Sequence, residues 1–179
     1  VADMDFTVSS YIQDAIVKQA GHGIFGYSEV KESYFTALEN WIRKHYDWQV
    51  EKKWLIKTPG VVFALAMAVQ AFTEEGDAVL IQQPVYYPFS EVIKNDGRRL
   101  VNCQLRYKNN HYSIDFEKME RMILEEGVKA LIFCNPHNPV GRVWTREELE
   151  RVAEICLKYN VIWMVDEMHC DFIFPGHTF

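Results

Sequence analysis

The chain has 179 residues, 49% of them apolar and 14% aromatic, which is enough to bury a core and excludes disorder as the dominant state. A formal net charge of -6 and a pI of about 5.5 exclude a general nucleic-acid or anionic-membrane surface, which needs clustered Lys and Arg. The longest unbroken apolar run, from Val61 to Val69, is far short of the ~20 residues that cross a bilayer.

The chain opens Val-Ala-Asp-Met-Asp, with neither the basic start nor the apolar core of a secretory leader. It begins without Met and stops at Phe179, just after Pro175-Gly176, so a piece of a longer chain is expected. The first 45 residues show no obvious strand. Helices are expected near residues 11–20 and 29–45, around a link holding Gly21, Gly23 and Gly26. Residues 1–48 read as an arm or small-domain segment, and residues 49–179 as part of a larger domain.

That larger domain alternates. A short strand is expected at 54–57, closed by Thr58-Pro59-Gly60, and an apolar helix over 61–72. A buried strand follows at 78–82, then a helix over 86–94 broken by Asn95-Asp96-Gly97, and a strand at 99–103. Residues 115–126 read as a helix with Asp115 as its N-cap, and 130–134 as a strand. Thr145-Arg146-Glu147-Glu148 is a capping box. The helix it opens carries Leu149, Val152, Ala153, Cys156 and Tyr159 at helical spacing. Asn160 ends it, and 161–165 is a fully apolar strand. Strands and helices in this alternation predict an α/β fold: a mostly parallel sheet sandwiched by helices, here incomplete and preceded by a helical arm. Cys103, Cys134, Cys156 and Cys170 include no Cys-x-x-Cys pair, so they read as reduced and mostly buried thiols of a cytoplasmic protein.

In an open parallel sheet, ligands bind beyond the carboxyl ends of the strands. Four segments fall there. Thr58-Pro59-Gly60-Val61-Val62 precedes a helix, where Gly60 admits an anion to the backbone and unpaired N–H groups point at it. Gln83-Pro84-Val85-Tyr86-Tyr87-Pro88 sets two tyrosines between prolines, so an aromatic can be held ready to stack on a flat ligand. Cys134-Asn135-Pro136-His137-Asn138-Pro139-Val140-Gly141 is a rigid loop whose Asn amides can orient a ligand oxygen. Asp166-Glu167-Met168-His169-Cys170-Asp171 follows a buried strand, and an acid there is costly unless it meets a cation. Two readings of that last segment stay open: a metal site using Asp166, His169 and Asp171, or one carboxylate paired with a cationic ring.

Together with Val1-Ala-Asp-Met-Asp-Phe6 and Phe25-Gly-Tyr-Ser28, these words resemble, in order, the fold-type-I enzymes that use pyridoxal 5'-phosphate (PLP), in the class I/II aminotransferase superfamily. Within it the chain is most similar to the MalY/PatB-type cystathionine beta-lyases, through the Asn-Pro-His-Asn-Pro and Asp-Glu-x-His-Cys-Asp words. The resemblance implies that Asp166 pairs with the protonated pyridine nitrogen and Asn138 hydrogen-bonds the ring's 3'-oxygen. His169 would stand near that oxygen, where ordinary aminotransferases more often carry Tyr. Tyr86 would stack on the ring, and Gly60, Val61 and Val62 would donate N–H groups to the phosphate. Tyr27 would reach the phosphate or substrate of a neighbouring subunit in a homodimer.

The implied reaction is alpha,beta-elimination on an amino acid with a sulfur leaving group, giving pyruvate, ammonia and a thiol. The alternatives are a PLP-dependent aminotransferase and, more distantly, a metal-dependent hydrolase. The family's Schiff-base lysine lies in a Ser-x-Ser-Lys word that this sequence does not contain, and the substrate-carboxylate arginine has no counterpart. The resemblance therefore covers the N-terminal half of such an enzyme. No catalytic residue is expected in this chain, and activity is expected of the longer protein only.

Overall fold

A computed structural model describes residues 4–179. Val1 to Asp3, the start of the first resembling word, lie outside the described residues. The chain falls into two compact units, one ending at Ile56 and the other spanning Lys57–Phe179.

The first unit holds helices α1 (Ser10–Gly21) and α2 (Glu32–Tyr46) and a single 3-10 turn, Lys52–Trp54. α1 buries none of its residues, and Tyr11, Ile12, Ile16 and Val17 are exposed. α2 ends where Asp47 turns left-handed at φ 49°, and Arg43, Lys44 and His45 in its last turn suit the negative end of the helix dipole. Lys52 pairs with Glu32. The strand expected at 54–57 is not formed. Trp54 closes the 3-10 turn, and the backbone after it is extended but pairs with no strand among the described residues. A short apolar run becomes a strand only where a ladder accepts its N–H and C=O groups.

The second unit runs α3 (Val61–Phe72), β1 (Ala78–Ile81), α4 (Pro88–Asn95), β2 (Arg99–Asn102), β3 (Arg106–Lys108), β4 (His111–Ser113), α5 (Phe116–Glu126), β5 (Val128–Cys134), α6 (Arg146–Tyr159) and β6 (Ile162–Asp166). Four strands form one parallel sheet in the order β2-β1-β5-β6. Side chains alternate between its faces. Leu80, Leu131 and Phe133 pack with Met119, Ile123, Val152 and Ile155 of α5 and α6. Val79, Ile81, Ala130, Ile132 and Cys134 pack with Leu65, Val69, Phe89 and Ile93 of α3 and α4. Both faces of the central strands are covered, as a parallel sheet requires.

Local chemistry fixes the boundaries. The Asp115 carboxylate accepts the Lys118 N–H at 3.0 Å, and Thr145 and Glu148 form a reciprocal capping box. Asn160 ends α6 in a left-handed conformation. α4 starts two residues later than the sequence suggests, at Pro88. Proline fits the first helical turn, where its missing N–H has no partner to lose, so Tyr86 and Tyr87 belong to the corner leading in. β6 is apolar but not buried throughout: it is the last strand in the order, and Ile162 and Val165 are exposed.

Sequence reading missed the antiparallel hairpin of β3 and β4. Its strands are three residues each and mostly polar, but Asn109 and Asn110 at φ 52° and 58° make the left-handed turn that tight hairpins favour. The chain leaves β1 toward β2 on one side, then crosses back to β5 and continues to β6 on the other. The switch point lies between β1 and β5.

Phe133 is buried between Trp144 and Trp163, with ring centroids 6.0 and 5.7 Å away. Phe133→Ala is expected to lower the unfolding free energy by about 3–5 kcal/mol, read by urea denaturation. Lys129→Ala, on an exposed position of the same strand, is expected to change it by less than about 0.5 kcal/mol.

Candidate functional site

The site is built at the carboxyl ends of β1, β5 and β6. After β1 the chain turns through Gln83, whose backbone N–H donates to Asn102 Oδ1 at 3.1 Å. Asn102 Nδ2 returns a bond to Gln83 Oε1 at 2.8 Å, and Leu105 N–H donates to the Gln83 carbonyl at 2.8 Å. Asn102, which sequence reading left unremarked, thus pins the root of the tyrosine corner. Of the two tyrosines, Tyr86 turns inward. It is half-buried against the core beneath α3 and α4 and meets Phe89 edge-on at 6.1 Å, while Tyr87 is exposed.

After β5 the loop folds back on its own strand. The Cys134 thiol donates to the Pro136 carbonyl at 3.2 Å and accepts the Asn138 N–H at 3.4 Å. Asn135 Oδ1 accepts the Trp144 N–H at 3.1 Å, and Trp144 Nε1 donates to the Cys134 carbonyl at 3.0 Å. Asn135 is therefore spent on holding the loop, whereas Asn138 is half-buried and lines a cavity of about 640 Å³ together with His169, Tyr112 and Phe172. Arg142 also lines it, but both of its terminal nitrogens donate to Glu148, at 2.9 and 2.8 Å.

Asp166 closes β6 opposite Cys134 in register and is only 7% exposed. Its Oδ1 accepts the Met168 N–H at 2.9 Å, and no cationic side chain pairs with it among the described residues. A buried carboxylate with one neutral donor is an incomplete arrangement, because burial costs several kcal/mol unless a cation answers it. Its field is felt nearby. Burial, then the amide of Asn138 and the charge of Asp166, act on the Cys134 thiol, which is pushed up to about 11. Burial and then Asp166 also raise the Glu167 carboxyl above its ordinary range.

Asp166 shares a groove of about 560 Å³ with Val61, Ala64 and Leu65 at the start of α3. There Gly60 is the N-cap, with an extended backbone and no side-chain cap. The Ala64 N–H makes the first helical bond, to the Gly60 carbonyl at 3.0 Å, so the amides of Val61, Val62 and Phe63 have no partner within the helix. A Cβ on Gly60 would meet nothing within 4 Å. Such a terminus suits a phosphate or carboxylate.

The structure thus brings Asp166 and Val61 to one groove, with Tyr86 on the same face of the sheet, and Asn138 and His169 to a neighbouring cavity. Tyr27 belongs to the first unit, where its side chain is exposed. Among the described residues no three or more His, Cys, Asp and Glu side chains are gathered to hold a metal, so Asp166, His169 and Asp171 do not form a ligand cluster. No described helix is long and apolar enough to cross a membrane.

The model of the aminotransferase class I and II family matches residues 2–179. The cystathionine beta-lyase PatB of Bacillus subtilis (strain 168) is 42% identical over 177 residues, covering 99% of this chain and 46% of its own length. Cystalysin from Treponema denticola, solved with a pyridoxal 5'-phosphate cofactor, is 40% identical with a TM-score of 0.94, over 99% of this chain and 45% of its own. The PLP-bound C-S lyase from Staphylococcus hominis is 34% identical with a TM-score of 0.94, over 99% of this chain and 46% of its own. The chain spans about half the length of the curated relatives it matches, 46% for the first of them.

The thiols give a pH test of this packing. Cys103, Cys134 and Cys156 are buried and pushed from their usual 9.0 to about 11, chiefly by burial, whereas Cys170 is half-buried. At about pH 8, ~0.1% of each buried thiol is thiolate, so Cys170 is expected to be alkylated first and the other three only after unfolding. Raised values favour the protonated thiols in the folded chain. The stability they contribute is complete below about pH 9 and is lost as pH rises through about 11. Unfolding midpoints are expected to fall over that interval.

Proposed function

The chain belongs to the class I and II aminotransferase family, and on that premise we propose that it supplies most of the cofactor site of a PLP-dependent carbon–sulfur beta-lyase. The reaction is alpha,beta-elimination from cystathionine or a related cysteine S-conjugate, which with one water gives pyruvate, ammonia and the thiol. The observation that carries the reading is Asp166: a buried carboxyl at a strand end, opposite Cys134, with no cationic partner among the described residues. The likeness to PatB, to cystalysin and to the Staphylococcus hominis C-S lyase supports elimination over amino transfer.

The residues fit PLP by the chemistry of their donor set. The cofactor, when bound, supplies a conjugated cationic ring that accepts electron density from the substrate's alpha-carbon. Asp166 holds the ring nitrogen in its charged form; an ion pair at ~4 Å is worth roughly 4 kcal/mol at an effective dielectric of ~20. Tyr86 stacks on the ring face. Val61, Val62 and the Gly60 backbone donate N–H groups to the phosphate, with the helix dipole adding about 0.3–1 kcal/mol. Asn138 donates from its amide to the ring's 3'-oxygen, and His169 stands beside it. Tyr27 serves a second copy across a homodimer. Residues 1–48 act as an arm, residues 49–179 as the cofactor-binding part, and the reduced thiols suit a cytoplasmic setting. The lysine that anchors the cofactor and the arginine that takes the substrate carboxylate are assigned to no residue of this chain.

Full-length protein mixed with cystathionine and PLP is expected to release pyruvate; amino transfer that depends on a keto acid and yields no pyruvate would contradict the lyase reading. Asp166→Asn in that protein is expected to retain PLP while lowering kcat/KM by at least about 100-fold, or ~2.7 kcal/mol of transition-state stabilisation. Asn138→Ala is expected to cost about 10-fold, because it removes an orienting hydrogen bond and not a charge.

A further inference from the structure

The loop after β5 and the corner after β1 stand on opposite sides of the switch point, and one side chain joins them. His137 is 1% exposed, and its Nε2 lies 2.9 Å from the Pro84 carbonyl, across 53 positions of sequence. A carbonyl can only accept, so Nε2 carries the hydrogen. The carbonyls of Cys134 and Gln82 also face the ring, but no hydrogen bond forms at Nδ1, which is buried without a partner among the described residues. Burial, ahead of the charge of Arg142, lowers the ring's basicity and keeps it neutral, despite those carbonyls.

The imidazole is itself held firmly. The His137 N–H donates to the Arg142 carbonyl at 2.6 Å, and Gly141 N–H donates to the His137 carbonyl at 2.8 Å. Arg142 is fixed by its two bonds to Glu148, by a bond to the Tyr112 carbonyl at 2.8 Å, and by stacking over Trp144 at 4.5 Å. Glu148 in turn caps α6. Trp144 meets the His137 ring edge-on at 5.4 Å. A continuous path of directional contacts therefore runs from the start of α6 through Arg142 to His137 and on to Pro84. Tyr86 lies two residues beyond Pro84, and Asn138 one beyond His137.

We propose that His137 is a positioning residue whose Nε2–H bond to Pro84 sets the Tyr86 corner and the Asn138 loop as one unit, so that the face and the edge of a bound ring are gripped in a single geometry. The inference rests on the PLP reading. It places no contact between His137 and the cofactor; the ring acts through the backbone it joins.

The test uses full-length apoprotein, PLP titrated by absorbance, and thermal unfolding of the same samples. His137→Phe keeps a planar ring and removes the donor; it is expected to weaken PLP affinity by at least about 10-fold. His137→Gln can return an N–H to the Nε2 position and is expected to recover affinity to within about 3-fold of wild type. In a Tyr86→Leu, Asn138→Ala background the His137→Phe effect is expected to shrink well below its value in wild type, since coupled groups are not additive. A lowered melting temperature with unchanged PLP affinity, or full additivity with the double variant, would overturn the proposal. If His137→Phe does not fold, nitrogen-15 NMR of wild type decides: a neutral Nε2–H tautomer supports the clamp, and an Nδ1–H tautomer refutes it. Failure of the wild-type apoprotein to take up PLP would instead sink the cofactor reading, and this inference with it.

Discussion

Parallel pairing of β5 with β6 sets Cys134 beside Asp166, and the rest of the site depends on that register. Moving β6 by one residue would turn Asp166 to the opposite face of the sheet, because side chains alternate with a period of two. It would also break the bond from Asn135 N–H to the Asp166 carbonyl at 3.0 Å, which continues the ladder past the last strand residue. Register is secured by burial rather than by the loop. Met164 faces the core beneath α3 and Trp163 the core beneath α6, and a slip would exchange them. The apolar sequence of β6 thus fixes where its terminal carboxyl points.

Around that carboxyl the chain leaves other valences open. The first turn of α3 has no side-chain cap, Gly60 presents no side chain, and Asp166 has a single backbone donor. α5 and α6 carry side-chain caps, at Asp115 and at Thr145 with Glu148, whereas α1, α2 and α4 are uncapped like α3. Val61, at the start of the uncapped first turn of α3, and Asp166 line one groove. A ligand with an anionic end and a cationic ring answers both demands at once.

Much of the fold was legible in the sequence because its signals are local. The apolar run of α3, bounded by Gly60, marks the helix at Val61–Phe72. Asp115, Thr145, Glu148 and Asn160 mark ends through hydrogen bonds that they make within a few residues. What stayed hidden depends on distant partners. The hairpin of β3 and β4 has too few residues for a periodicity, and residues 54–57 look like a strand until no ladder receives them. The strand-end words that hold Gly60, Tyr86, Asn138 and Asp166 could be read from composition, but not which of them share a groove, since that follows from the order β2-β1-β5-β6. The roles of Asn102 and His137 are likewise invisible in sequence. Each acts on a backbone group, at Gln83 and Pro84, that no motif names.

The proposed site turns on whether Asp166 faces a cationic ring nitrogen. Nitrogen-15 NMR of the full-length protein, loaded with PLP labelled at that nitrogen, addresses it directly. With Asp166 beside it, the ring nitrogen is expected to stay protonated from about pH 6 to about pH 9, because the carboxylate favours the charged form. A nitrogen that is unprotonated at neutral pH, or that titrates as it does in the unbound cofactor, would contradict it.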